Sequence, residues 1–175
     1  RAQVGYFGVL ATAVLPVQLI VVALGQATAA RVARYHRDDP RQLIRLVARL
    51  LAIAAGLALA TLAVAVVLGP WLLRVVFRPE YAAYSHELVI VAAGSGLLLL
   101  AIVCGVVLTG VQRFWVQVPL QLAVLATTAV AALVLIPADP VSGAAWTYLA
   151  RSVCQCVLYG IAVAIALWQR RRAGA

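Results

Sequence analysis

Five long apolar stretches separated by short polar intervals organise this chain, over about residues 6–30, 43–68, 87–109, 114–135 and 143–168. A hydrocarbon core about 30 Å thick is crossed by roughly 20 helical residues rising ~1.5 Å each, so every stretch is long enough to span a bilayer. The runs are rich in Ala and Leu and lack the every-second-residue alternation of a membrane strand. The pattern predicts an all-α membrane protein of five transmembrane helices, a single transmembrane region over residues 1–175.

The polar intervals orient these spans. The first, "RVARYHRDDPRQLIRLVAR", sets Arg31, Arg34, Arg37, Arg41, Arg45 and Arg49 against Asp38 and Asp39, and such a basic loop belongs in the cytoplasm. The second balances Arg74 and Arg78 with Glu80 and Glu87 and fits the outer side, while the third, around Gln112 and Arg113, fits the inner. The fourth, "IPADPVSG", has Asp139 and no base, and the chain then runs to Arg170, Arg171 and Arg172, which places the C-terminus inside. Trp71, Tyr81, Tyr84 and Trp146 fall at the expected outer interface, and Trp115 and Trp168 at the inner one, as aromatic belts do. The chain opens on Arg1 with no signal-peptide features, so it is expected to be the back part of a longer protein.

Composition agrees. With 66% of residues apolar, 11% charged and a mean hydropathy of +1.06, the chain lies far from soluble domains, which are about half apolar and a quarter charged. A net charge of +9 points to nucleic acid in a soluble chain, but here the arginines cluster at span ends and read as topology, with no nucleic-acid partner. Arg41, Arg45 and Arg49 recur every fourth residue beside Leu43, Leu46, Val47 and Leu50. This amphipathic stripe reads as topology with contact to anionic headgroups, and alternatively as a cytoplasmic gate or docking surface.

The candidate chemistry lies in the last span, "AAWTYLARSVCQCVLYGIAVAIALW". Arg151 sits eight residues past Gly143, about 12 Å along the helix and inside the apolar core. Tyr148, Arg151, Ser152, Gln155 and Tyr159 follow three- and four-residue spacings and form one polar stripe. Intramembrane charges face a bundle interior or a wet cavity, although a long side chain also snorkels to the headgroups. Gln18 and Gln26, eight apart in the first span, are expected to share a face, with Pro16 and Gly25 able to bend the helix. Gln117, Gln121 and Thr128 read as glue between helices, and Gly94, Ser95, Gly96 and the Gly56 to Ala60 pair as close-packing positions.

No catalytic or metal site emerges. Cys154 and Cys156 are two apart and turn about 200° from each other on a helix, so they neither bridge nor share a metal, and Cys104 stands in another span. His36 and His86 fall on opposite sides of the membrane. There is no phosphate-binding Gly loop. The expectation is a protein that is not an enzyme and carries no cofactor.

Three segments, taken together, resemble a known family. "VGYFGVLATAVLPVQLIVVALGQATAARVARYHRDDPRQLIRLVARL" resembles the helix, basic loop and helix of the polysaccharide biosynthesis flippases of the MOP superfamily, the Wzx-type lipopolysaccharide and O-antigen transporters. "WLLRVVFRPEYAAYSHELVIVAAG" is similar to their outer segment with its Phe-Gly-x-x-Tyr pattern, carried by Phe77, Pro79, Glu80 and Tyr81, with Arg78 in place of the usual Gly. "LVLIPADPVSGAAWTYLA" is similar to the Ile-Pro turn and Gly-Ala-Ala that open the last helix of a half, on Ile136, Pro137, Gly143, Ala144 and Ala145.

The resemblance implies that the five spans are helices two to six of one six-helix lobe, the second lobe better matching the basic tail. It implies alternating access that moves a lipid-linked oligosaccharide on a polyprenyl pyrophosphate across a bacterial inner membrane. The implied partners are membrane lipids, the missing lobe, and the glycan polymerase and glycosyltransferases of the same pathway. In that reading Tyr148, Arg151, Ser152, Gln155, Tyr159, Gln18 and Gln26 line the substrate cavity, with Arg151 offering its guanidinium to pyrophosphate or acidic sugars. Two alternatives stand beside it. A cation-coupled multidrug exporter of the same superfamily normally carries an acidic residue within a span, where this chain has only Glu87 at a boundary. A non-transporting membrane scaffold would use the polar stripes for packing alone.

Overall fold

The computed structural model describes the backbone of residues 2–38, 40–76, 85–111, 114–137 and 139–173, with side chains described over 16–35, 41–69, 71, 85–111, 115–137 and 139–169. Among the described residues there are helices and no strand: α1 (Ala2–Asp38), α2 (Pro40–Val76), α3 (Ser85–Gly110), α4 (Phe114–Leu135) and α5 (Pro140–Ala173). Each contains a segment long and apolar enough to cross a membrane: Pro16–Tyr35, Arg41–Gly69, Ser85–Gly110, Trp115–Leu135 and Pro140–Gln169. The motif over Phe77 to Tyr81, together with Tyr84, Gln112 and Arg113, lies outside the described residues.

Three of the helices outrun the apolar stretches that predict them. α1 and α2 have 37 residues each, about 55 Å at ~1.5 Å per residue against a hydrocarbon core of about 30 Å. The basic interval expected as a loop is instead the end of α1 and the start of α2, with only residue 39 between them. Helix-favouring Ala, Arg, Leu and Gln dominate this interval, and Pro40 opens α2 in the first turn, where its missing N–H leaves no helical bond unmade. Leu43, Val47, Leu50 and Ala54 then bury one face at three- and four-residue steps, while Arg41, Arg45 and Arg49 stay exposed on another.

Helix α3 is the centre. It packs most extensively on α5, then on α2 and α1, whereas α4 rests mainly against α5. The core clusters fix helix direction. At one end Val32 of α1, Leu43 and Val47 of α2, Val107 and Leu108 of α3 and Val163 of α5 meet. At the other, Ala65 meets Leu88 and Ala92, and Ile90 and Val91 meet Ala145. Successive helices therefore run in alternate directions, as the loop charges predict, and the arginine-rich hairpin shares its end with the C-terminus of α3.

All four tryptophans are exposed, and 22 residues separate Trp146 from Trp168 along α5. That is about 33 Å, close to the ~30 Å hydrocarbon thickness that aromatic belts bracket.

Small residues decide the closest crossings. A Cβ on Gly94 would stand 2.8 Å from Tyr148 Cδ1 and 3.3 Å from the Leu149 Cα, so α5 lies directly on α3 here; Gly96 meets Ala58 of α2 in the same way at 3.0 Å. Gly56 does not behave as expected: it is exposed with nothing within 4 Å of its added Cβ, and Ala60 is exposed too, because α2 turns that face away from α3.

The corner between α4 and α5 explains the Ile-Pro and Gly-Ala-Ala segment locally. Asp139 caps α5: its Oδ1 accepts from the Val141 and Ser142 amides at 3.1 and 3.4 Å, and its carbonyl accepts from Gly143 N at 2.7 Å. Pro140 occupies the first helical position. Gly143 is packed against the Leu135 carbonyl, which leaves no room for a side chain.

Candidate functional site

The polar face of α5 turns inward. Trp146, Val153, Val157, Ile161 and Trp168 form its exposed stripe, and Ala145, Ser152, Tyr159 and Val163 are buried. Between Trp146 and Trp168 the outward stripe is apolar apart from the tryptophan rings, whereas Thr147, Ser152 and Tyr159 are buried and Tyr148 and Gln155 half-buried.

Tyr148 is the hub of a three-helix link. Gln18 Nε2 of α1 donates to its phenolic oxygen at 2.9 Å, and the same oxygen lies 3.0 Å from Ser95 Oγ of α3, so the phenol and the serine hydroxyl share one hydrogen bond. Buried polar groups between apolar helices must find partners, and here each of the three supplies one to another. Ser152 is fully buried and donates to the Tyr148 carbonyl one turn earlier at 2.8 Å. Tyr159, 7% exposed, donates to Gln121 Oε1 of α4 at 3.3 Å.

Other candidates do not join the link. Gln26 is exposed, because eight residues advance a helix by about 800° and leave ~80° between it and Gln18. Gln155 lies on the inward face with its Oε1 buried and without a hydrogen bond among the described residues. Arg151 is half-buried and has no hydrogen bond or ion pair to another described residue. It stands about 60° round the helix from Tyr148, toward the flank where Cys154 Sγ lies 3.4 Å from Thr127 Oγ1 of α4. Helical side chains lean toward the N-terminus, so its guanidinium is carried toward the Trp146 end, five residues or about 7.5 Å away.

The expected glue on α4 is present in part. Gln117 Nε2 donates to Thr109 Oγ1 at 2.9 Å and to the Gly105 carbonyl at 3.3 Å on α3, and Gln121 serves Tyr159. Thr128 instead donates to the Val124 carbonyl of its own helix at 2.7 Å. Ser95 is the site residue that sequence reasoning took for a packing position, and its place between two close-packing glycines was the available signal. Glu87 stands in the first turn of α3, favourable to the helix dipole, with Oε2 buried and unbonded among the described residues. No group of three His, Cys, Asp or Glu able to hold a metal occurs among the described residues.

No protein-family model matches the chain, and neither a curated protein nor a solved structure does. The helices themselves define the class: a multi-pass, all-α membrane protein with an inward polar face on its last helix.

Proposed function

We propose that these five helices belong to one lobe of a transporter that flips a lipid-linked oligosaccharide across a bacterial inner membrane, with the C-terminus of α5 in the cytoplasm. The observation that carries this reading is Arg151, a guanidinium half-buried within an apolar span and joined to no described carboxylate. Placing an arginine there costs roughly 2.5–3.5 kcal/mol on insertion scales, and such residues are retained where they meet an anion or water. Its planar fork of donors suits a pyrophosphate. The resemblance of the helix hairpin and of the α4 to α5 corner to Wzx-type flippases supports the same reading.

The test is glycan export in cells that depend on this protein. Arg151→Leu is expected to insert normally and lose export, with Arg151→Lys retaining part of it. Normal export by the leucine variant removes Arg151 as a substrate ligand.

A scaffold that transports nothing is the second reading, favoured by the Gln18, Tyr148 and Ser95 link, whose groups satisfy one another. It predicts that Tyr148→Phe loosens helix packing while Arg151→Leu changes nothing measurable. The cation-coupled exporter reading lacks its usual acidic residue within a span, since Glu87 stands at a boundary, in the first turn of α3.

A further inference from the structure

We infer that the groove between α1 and α2 at the arginine-rich end is a binding site for the phosphate headgroup of an anionic phospholipid. This inference is independent of what the protein transports.

The groove holds about 280 Å³ and is lined by Arg31 and Tyr35 of α1 and by Gln42, Arg45, Leu46 and Arg49 of α2. The spacing makes it a built feature: residues four apart stack on one helix face, so Arg31 with Tyr35, and Arg45 with Arg49, present two edges to one another. Tyr35 and Leu46 pack onto the apolar cluster beneath and form the floor. The three guanidinium groups stay exposed at the rim, and no carboxylate is among the described lining residues. Arg34 adds a further cation at the margin, 5.4 Å over the Tyr35 ring.

Three like charges held around one concavity repel, and an anion seated between them removes that cost. The membrane decides which anion. No charged residue stands between Arg1 and Arg31 or between Arg49 and Arg74, so the groove arginines mark the polar ends of both apolar runs, where hydrocarbon gives way to headgroups. There a phospholipid places its phosphate against the arginines while its chains follow the apolar sides of the helices. The volume is just below the ~300 Å³ at which small-molecule pockets begin, enough for a phosphodiester and not for a bulky solute.

The test is native mass spectrometry of the full chain in neutral detergent, titrated separately with phosphatidylglycerol, phosphatidylcholine and glycerol 3-phosphate. Phosphatidylglycerol is expected to be retained preferentially. Each groove arginine removed weakens that retention about fivefold, so Arg45→Gln with Arg49→Gln costs about twenty-five-fold. The charge-matched pair Arg170→Gln with Arg171→Gln, in the basic run at the C-terminal end of α5, is expected to lose far less. Equal losses in the two pairs mean general attraction to a basic surface and overturn the site. Equal retention of the two lipids overturns it as well, and glycerol 3-phosphate binding as tightly as the lipid assigns the groove to a soluble anion instead. Should the double variant elute as aggregate, single Arg45→Gln carries the test, with a fivefold loss expected and no loss overturning the site.

Discussion

Gly94→Ala tests the α3 to α5 interface at its tightest point. The new methyl would lie 2.8 Å from Tyr148 Cδ1 and 3.1 Å from Cε1, while ordinary contact begins near 3.4 Å, so the ring has to retreat by about 0.6 Å. It is held at its far end, because the phenolic oxygen is shared with Gln18 and Ser95 at 2.9 and 3.0 Å, and a shift of that size carries at least one bond beyond its useful range of about 3.2 Å. The ring is not the only atom in the way, since the Leu149 Cα of the α5 backbone is itself only 3.3 Å from the new atom. Overpacking of this kind costs about 1–3 kcal/mol, and a strained hydrogen bond between membrane helices adds about 0.6 kcal/mol. The expected loss is therefore about 1.5–3.5 kcal/mol, read by reversible unfolding in bicelles. The mechanism makes a further demand: in a Tyr148→Ala background, where the ring is gone, the same substitution should cost at most half as much. A loss below about 0.5 kcal/mol on its own, or an undiminished loss in the alanine background, refutes the pinned-ring account.

Other positions make sharper contrasts. Gly56→Ala meets nothing within 4 Å and replaces a poor helix former, so stability in the same assay should hold or rise by up to ~1 kcal/mol. Asp139→Ala removes the cap of α5 and should cost about 1 kcal/mol, with faster hydrogen exchange confined to the amides of Val141 and Ser142. Thr127→Cys should form a disulfide with Cys154 under mild oxidant, because the two side chains already approach to 3.4 Å, while the same change paired with Cys156 alone should not; equal yields would mean that α4 and α5 meet in a different register.

The helical class, the five spans and their alternating direction were legible in the chain because each depends on local composition: a bilayer demands about 20 apolar residues per crossing, and the balance of arginine against acid alternates from one polar interval to the next. The inward polar face of α5 was legible for the same reason, since Tyr148, Ser152, Gln155 and Tyr159 follow helical spacing. Other features were not. Residues 31–42 looked like a loop because charge marks the membrane boundary and says nothing of whether a helix continues past it. Gln18 and Gln26 looked equivalent, yet one bonds Tyr148 and the other is exposed. Gly56 looked as suited to close packing as Gly94, and only Gly94 is used.

The tertiary structure alone decided that α3 lies at the centre, that Tyr148 joins Gln18 to Ser95 across three helices, and that Arg31 faces Arg45 and Arg49 over one groove. In water, a helix advertises its buried side by being apolar there and polar elsewhere. In a membrane, lipid tails are as apolar as a neighbouring helix, so the pattern that announces a span carries almost no information about which side of it meets protein. Those choices fall to small residues and paired polar groups, whose partners are fixed only once the helices have packed.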